Sequence, residues 1–266
     1  MLRVVFFDAA GTLFHTREPA GLSYAKIARR FGVAADQSLV IESFRRAFAT
    51  APGLAFGPGH EAAQLRILER EWWYQLVMTT FAGIGDFADF EAYFAELFDF
   101  FADPANWIRD PDAPALLGAF RESGVELGVI SNFDYRIYAI LEALGLSRYF
   151  DSITISSEAG YAKPSPEIFR IALERHSFAA AEALHVGDSE ALDVGGARAA
   201  GIAVVLVDPE AGLPEHAPPE ATLPEVTPPE AASAPGYEEP SSAEGRCVRV
   251  RSLGQVAAVL GRLGVP

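Results

Sequence analysis

Residues 4–14 read "VVFFDAAGTLF", and the rest of the chain takes its meaning from this stretch. A short apolar strand runs into one acid, Asp8. Two residues on, where a second acid could do proton work, stands Ala10. The pattern then changes. From Glu18 to about Phe101 the segments "GLSYAKIARRFG", "SLVIESFRRAFA", "HEAAQLRILEREWWYQLVMTTFAGIG" and "DFEAYFAELFDFFA" repeat apolar residues every three or four positions. That spacing predicts about four amphipathic helices and no strand. Gly32 and Gly53 stand where helices should stop.

After Asp110 the rhythm is helix, strand, helix, strand. The strands are "VELGVIS", "DSITIS", "ALHVGD" and "IAVVLVD", and the helices between them include "APALLGAFRESG", "DYRIYAILEALG", "SPEIFRIALERH" and "EALDVGGARAAG". Ser165 is the expected N-cap of the third helix, with Pro166 at its first position. Alternation of this kind implies an α/β fold with a doubly wound parallel sheet. The strand at 3–8 has no crossover helix of its own nearby, so it is expected to join this later sheet, with an all-helical domain inserted after it. The expected organisation is an α/β core of residues 1–15 and 105–266 and a helical insertion of 16–104.

Within the core, Pro-Glu recurs with period five from Pro209 to Pro229. The prolines forbid a helix and the composition leaves little to bury, so residues 209–245 are expected to form a solvated, flexible insertion. "CVRV" and "SLGQVAAVLGRLG" then predict an edge strand and a closing helix.

Half of the 266 residues are apolar, enough for a sizeable core. The formal charge of −15 argues against non-specific nucleic-acid binding. The stretch Pro209–Gly245 holds eight Glu and no Lys or Arg, and the remainder carries only −7. A single cysteine, Cys247, excludes a disulfide framework, and the run at Val4–Phe7 is too short for a signal peptide or membrane span. A cytoplasmic protein is expected, with a small-molecule partner, no membrane or nucleic-acid partner, and an oligomeric state left open. The chain has two lysines, Lys26 and Lys163.

In an open parallel sheet, function gathers at the carboxyl ends of the strands. Those ends supply Asp8, Gly11 and Thr12, then Ser131 and Asn132, then Lys163, then Asp188 with Asp193 on the following helix. Taken singly, each has a plain structural use: Ser131-Asn132 could start a helix and Asp188 could cap one. Taken together, three acids facing one another would repel unless a cation sits between them, and they are oxygen donors of the kind Mg²⁺ prefers. Ser131, Asn132 and Lys163 are donors suited to anionic oxygens. One carboxylate set against a bound phosphoryl group can attack it, which is covalent catalysis.

These motifs resemble those of the haloacid-dehalogenase-like hydrolase superfamily. "FFDAAGTLF" resembles its first motif, "VISNFD" the second, "AKPSPEIF" the third and "HVGDSEALDVGGARAAG" the fourth. The helical block between the first two resembles the subgroup with a type-1 helical cap. The resemblance implies Asp8 as nucleophile, with Asp8, the Ala10 carbonyl and Asp188 as Mg²⁺ ligands and Asp193 as a ligand or anchor. It implies that Thr12, Ser131, Asn132 and Lys163 position the phosphoryl group. Family phosphatases usually carry an acid where Ala10 stands, to protonate the leaving group.

The expected activity is a phosphatase on a small phosphorylated metabolite. Two alternatives follow from Ala10: a phosphonatase- or dehalogenase-like hydrolase, whose leaving group needs no proton there, or a weakened phosphoryl-binding protein. A phosphonatase would need a cap lysine, for which Lys26 is the candidate. His15 is a candidate substitute proton carrier, though a flap-loop histidine is the simpler expectation. Trp72 and Trp73 point about 100° apart on a helix. Core packing is expected of each, and at most one faces the core squarely, leaving the other able to line the cleft.

Overall fold

The computed structural model describes residues 1–209 and 247–262. The Pro-Glu repeat, and with it the expectation of a flexible insertion, lies outside the described residues. Strand β1 (Val4–Phe7) is followed by a short β2 (Phe14–Thr16). Four helices come next: α1 (Ala20–Arg30), α2 (Gln37–Thr50), α3 (Ala62–Phe81) and α4 (Phe90–Ala102). A three-residue β3 (Trp107–Arg109) returns antiparallel to β2, so the helical block leaves and rejoins the chain through one small ribbon. Neither ribbon strand is legible as a strand, because three residues are too few to display alternation.

The remaining elements are α5 (Ala113–Glu122), β4 (Glu126–Ser131), α6 (Arg136–Ala143), β5 (Ser152–Ile155), α7 (Ser156–Ala159), α8 (Pro166–His176), β6 (Ala183–Gly187), α9 (Gly195–Ala199), β7 (Ala203–Val207), β8 (Cys247–Val250) and α10 (Val256–Arg262). Six strands form one sheet in the order β5-β4-β1-β6-β7-β8, every pair parallel. β1 does join the later sheet, at its centre, and β8 is the edge strand.

The all-apolar composition of β1 follows from that position. Val5 and Phe7 pack with Leu117 and Phe120 of α5, Ile137 and Ile140 of α6 and Val256 of α10. Val4 and Phe6 point the other way, to Ile168, Phe169 and Ala172 of α8 and Ala197 of α9. Successive strand residues face opposite sides, and both sides are roofed by helices. A third apolar cluster, with Tyr24, Val40, Val77, Phe81, Tyr93 and Phe94, holds α1–α4 together. Each such side chain contributes about 1.5–3 kcal/mol by leaving water.

The helix expected over "EALDVGGARAAG" is divided. Glu190–Val194 form a π-helical turn and α9 follows it. The wider turn lets Asp193 stay buried and bring its carboxylate back toward the strand ends, and single π turns of this kind recur at functional sites.

Candidate active site

The chain moves outward from β1 through β4 to β5, then returns past β1 to β6 and on to β7 and β8. The crevice between the tips of β4, β1 and β6 is therefore the topological switch point of the sheet. Sheet pairing fixes the first acid there: the Asp8 N–H donates to the Val186 carbonyl at 2.8 Å, so Asp8 is held where β1 ends.

Lys163 reaches this point from the loop between α7 and α8. Its Nζ donates to Asp8 Oδ1 at 2.7 Å and to Asp193 Oδ1 at 2.6 Å. All three side chains are removed from water, with Asp8 6%, Lys163 4% and Asp193 1% exposed. Asp193 is saturated. Its Oδ1 also faces His185 Nε2 at 2.8 Å, and its Oδ2 accepts from the Ser189 N–H at 2.9 Å. Asp188, at the tip of β6, remains open to solvent. One oxygen each of Asp8, Asp188 and Asp193 lies within 4.8 Å of the others, a cluster that could hold a metal ion.

The electrostatics follow from burial and crowding. Burial first, then the charges of Asp193 and Asp188, push the Asp8 carboxyl up to about 6, against the opposing pull of Lys163. Burial and the neighbouring Asp193 likewise raise Asp188. Burial works to raise Asp193 as well, but Lys163 and His185 outweigh it and hold this carboxyl below the usual range. Burial alone would lower Lys163, and the two carboxylates against it reverse that and raise it. The cluster thus holds one firm ion pair, Lys163 with Asp193, and two carboxylates, at 8 and 188, whose charge a further cation would stabilise.

The other expected residues are present but turned to different partners. Thr12 is buried and donates its hydroxyl to Asp188 Oδ1 at 3.1 Å. The Asn132 amide clamps the backbone of Lys163: its Oδ1 accepts from the Lys163 N–H at 2.7 Å and its Nδ2 donates to the Lys163 carbonyl at 2.9 Å. Ser131 and Asn132 do not begin a helix, since α6 starts at Arg136. Asp188 does not cap one either, because the Ser189 hydroxyl accepts from the Leu192 N–H instead. Pro166 does open α8, but the Ser165 hydroxyl turns to Glu167 rather than to the helix backbone. Gly11 approaches Asp188 so closely that a Cβ there would stand 2.5 Å from Oδ2, and its φ of +102° is itself a glycine conformation.

Above the carboxylates lies a cavity of about 480 Å³. Asp8, Ala10, Ser131, Asn132, Lys163, Asp188 and Asp193 line its floor, and His15 lines its side. Lys26 is not among the lining residues and pairs with Glu18 on the surface. Trp73 lines the cavity, and its Nε1–H donates to Asp134 Oδ2 at 2.6 Å. Trp72 donates to the Pro52 carbonyl. Both are half-buried: Trp73 packs against the apolar cluster of the helical block while lining the cavity, and Trp72 does neither, so the expectation of core packing holds for Trp73 and is corrected for Trp72.

Sequence reasoning also missed Asp134 and Arg136, a buried ion pair at 2.6 Å, with the guanidinium 5.1 Å from the Trp73 ring. Nothing local marks this pair, because its meaning depends on a helix more than sixty residues earlier. His185, whose ring nitrogen faces Asp193, is the one polar residue inside the apolar strand "ALHVG", and that oddity is the signal the sequence offers for it.

Comparison with known proteins supports the same part of the chain. A profile of the haloacid dehalogenase-like hydrolases matches residues 2–201. The haloacid dehalogenase-like hydrolase domain-containing protein 3 of Bos taurus is 36% identical over 211 residues, covering 77% of this chain and 82% of that protein. A ribulose-1,5-bisphosphate 5-phosphatase of Halopiger xanaduensis is 40% identical over 100 residues, covering 37% of this chain and 42% of that protein. Among solved structures, the HAD-hydrolase YfnB of Bacillus subtilis, bound to magnesium, superposes with a TM-score of 0.69 at 17% identity, covering 98% of this chain and 99% of that one. At that identity the likeness concerns the fold. Among the described residues no helix is long and apolar enough to cross a membrane.

Proposed function

The chain belongs to the haloacid dehalogenase-like hydrolase family, and from that premise we propose that it is a Mg²⁺-dependent phosphatase whose nucleophile is Asp8. The observation that carries this reading is the placement of Asp8: a buried carboxylate at a strand tip, 2.7 Å from the Lys163 ammonium, on the floor of the cavity.

The donor set fits the metal. Asp8 and Asp188, with the Ala10 carbonyl, would hold Mg²⁺, a hard cation that takes oxygen ligands. When bound it supplies Lewis-acid polarisation of a phosphoryl oxygen. Asp193, with both oxygens already engaged, serves as the anchor that aims Lys163 rather than as a ligand. Thr12 orients Asp188. Asn132 sets the loop that carries Lys163, and the Ser131 hydroxyl faces the cavity as a donor to the phosphoryl oxygens. An Asp8 oxygen attacks phosphorus, the bond to the ester oxygen breaks, and Lys163 offsets the charge that gathers between nucleophile and substrate. Water then attacks the aspartyl phosphate, releasing phosphate and restoring the carboxylate. Residues 16–104 act in this reading as the cap that excludes water, and residues 1–15 with 105–266 as the core.

A phosphonatase is disfavoured, because Lys26 is outside the cavity and the chain has no other lysine but Lys163. The test is phosphate release from acetyl phosphate, aryl phosphates and a panel of phosphorylated metabolites, with phosphonoacetaldehyde as a contrast. Release that is abolished by EDTA and restored by Mg²⁺ is the expected result. Absence of Mg²⁺-dependent release from every phosphate ester by folded protein overturns the reading.

The close approach at Gly11 adds a sharper expectation. Gly11→Ala pushes Asp188 from its place, and displacing a metal-site partner of this kind typically costs about 10- to 100-fold in affinity. Titration calorimetry with Mg²⁺ checks it, and an unchanged affinity would mean that Asp188 is not a ligand.

A further inference from the structure

The floor of the cavity accounts for a phosphoryl group. Its walls say what the rest of the substrate is. They are built from aromatic rings: Tyr24 from α1, Phe44 and Phe48 from α2, Trp73 from α3, and Trp107 and Phe133 from the junction with the sheet. The rings brace one another, Tyr24 against Phe44 at 4.9 Å, Phe48 against Trp73 at 6.4 Å, and Trp107 against Phe133 at 5.9 Å between centroids. Such walls favour a ligand that presents an apolar face or edge.

Charge narrows the choice further. Among the described residues lining the cavity, the lysine and arginine side chains are Lys163 and Arg136. Lys163 is engaged by Asp8 and Asp193. Arg136 gives Nε and Nη2 to Asp134 at 2.8 and 2.6 Å and is only 4% exposed. No guanidinium or ammonium remains to receive a second phosphate or a carboxylate, whose burial without a partner is costly. The third restriction is Ala10, which lines the cavity and has no proton to give a departing oxygen.

From these three observations we infer that the substrate is a monoester with a single phosphoryl group on an uncharged aromatic ring, joined through a phenolic oxygen. The inference rests on the phosphatase reading and extends it to a substrate class. The step balances without an acid at position 10. The Asp8 oxygen forms its bond to phosphorus as the bond from phosphorus to the phenolic oxygen breaks. The electron pair leaves on a phenolate, which the ring stabilises. Water attacks the aspartyl phosphate, and one of its protons ends on the phenolate, so the products are a phenol and hydrogen phosphate.

The test compares kcat/KM of the full chain with Mg²⁺ for phenyl, benzyl, acetyl and methyl phosphate and for 2-phosphoglycolate. Phenyl and benzyl phosphate share the ring and differ in the acidity of the leaving oxygen. Phenyl is expected to exceed benzyl by at least about 100-fold, the scale of a missing general acid. Acetyl phosphate has a good leaving group and no ring, so its KM is expected to be at least about tenfold above that of phenyl phosphate, from lost apolar burial. Phe48→Ala narrows the phenyl-over-acetyl preference. Phe48 is 47% exposed, so its truncation does not threaten folding.

Equal turnover of phenyl and benzyl phosphate overturns the inference, as does a KM for phenyl no lower than for acetyl phosphate, or a preference for 2-phosphoglycolate. In each of these cases Mg²⁺-dependent hydrolysis still stands and the phosphatase reading survives. If none of the five phosphates is hydrolysed by folded protein with Mg²⁺, the phosphatase reading falls first and the substrate class with it.

Discussion

Under the proposed mechanism, Asp8→Asn is expected to abolish phosphate release while the fold survives. The amide has the size of the carboxylate and leaves the backbone N–H on Val186, so β1 keeps its register. It cannot attack phosphorus, and loss of a nucleophile on which the other groups act removes about 10⁴-fold or more of the rate. Lys163 keeps Asp193 as its partner, so the substitution does not strand a buried cation.

A second readout separates this from unfolding. The Asp8 carboxyl, held at about 6 chiefly by burial, is ionised at neutral pH at a cost to the fold. The sign follows from which state binds the proton more tightly. The native state does, so stability is lost as pH rises from the ordinary carboxylate value of 3.8 to about 6, and the loss stays constant above. In EDTA the Asn variant should therefore melt higher than the parent at pH 8, with the difference shrinking toward pH 4. Full activity in the variant, on any substrate that the parent hydrolyses, would remove Asp8 from the mechanism.

Ala10→Asp is expected to raise the turnover of benzyl phosphate by about 10²- to 10⁴-fold, the usual worth of a positioned general acid. That range corresponds to about 3–5 kcal/mol of barrier. Position 10 lines the cavity and is only half-buried, so a carboxylate can be accommodated there without repacking the core. Phenyl phosphate gains less, because its leaving oxygen needs no proton, and the ratio of the two substrates contracts. The variant adds a negative charge beside Asp8 and Asp188, so the Mg²⁺ needed for half-maximal rate shifts as well. An unchanged benzyl rate in folded, metal-binding variant protein would mean that another group already supplies the proton. His15 lines the same cavity and is the residue to replace next.

Much of the architecture is legible without coordinates, for a local reason. Burial on both faces leaves an unbroken apolar run, as at Val4–Phe7, and a parallel sheet ends each such run at one edge. Reading the residues that follow each run therefore finds Asp8, Ser131 and Asp188 together. The helical block shows itself because each helix buries one stripe. The ribbon of β2 and β3 does not, since its pairing joins residues more than ninety positions apart. The same limit hides what the site residues touch. Thr12 and Asn132 are polar residues at strand ends, well suited to a phosphoryl group by type, yet one holds Asp188 and the other the backbone of Lys163.

By itself, the order of residues determined the sheet, the inserted helices and the gathering of three acids and a lysine at one edge, because each follows from periodicity and chain direction. Only the tertiary structure decided the division of labour among them: Asp193 bound to Lys163 and His185, Asp188 open, Lys26 outside the cavity, Trp73 within it. Those assignments depend on distances between side chains far apart along the chain, and distance across a packed interior is set by the packing of all the elements at once.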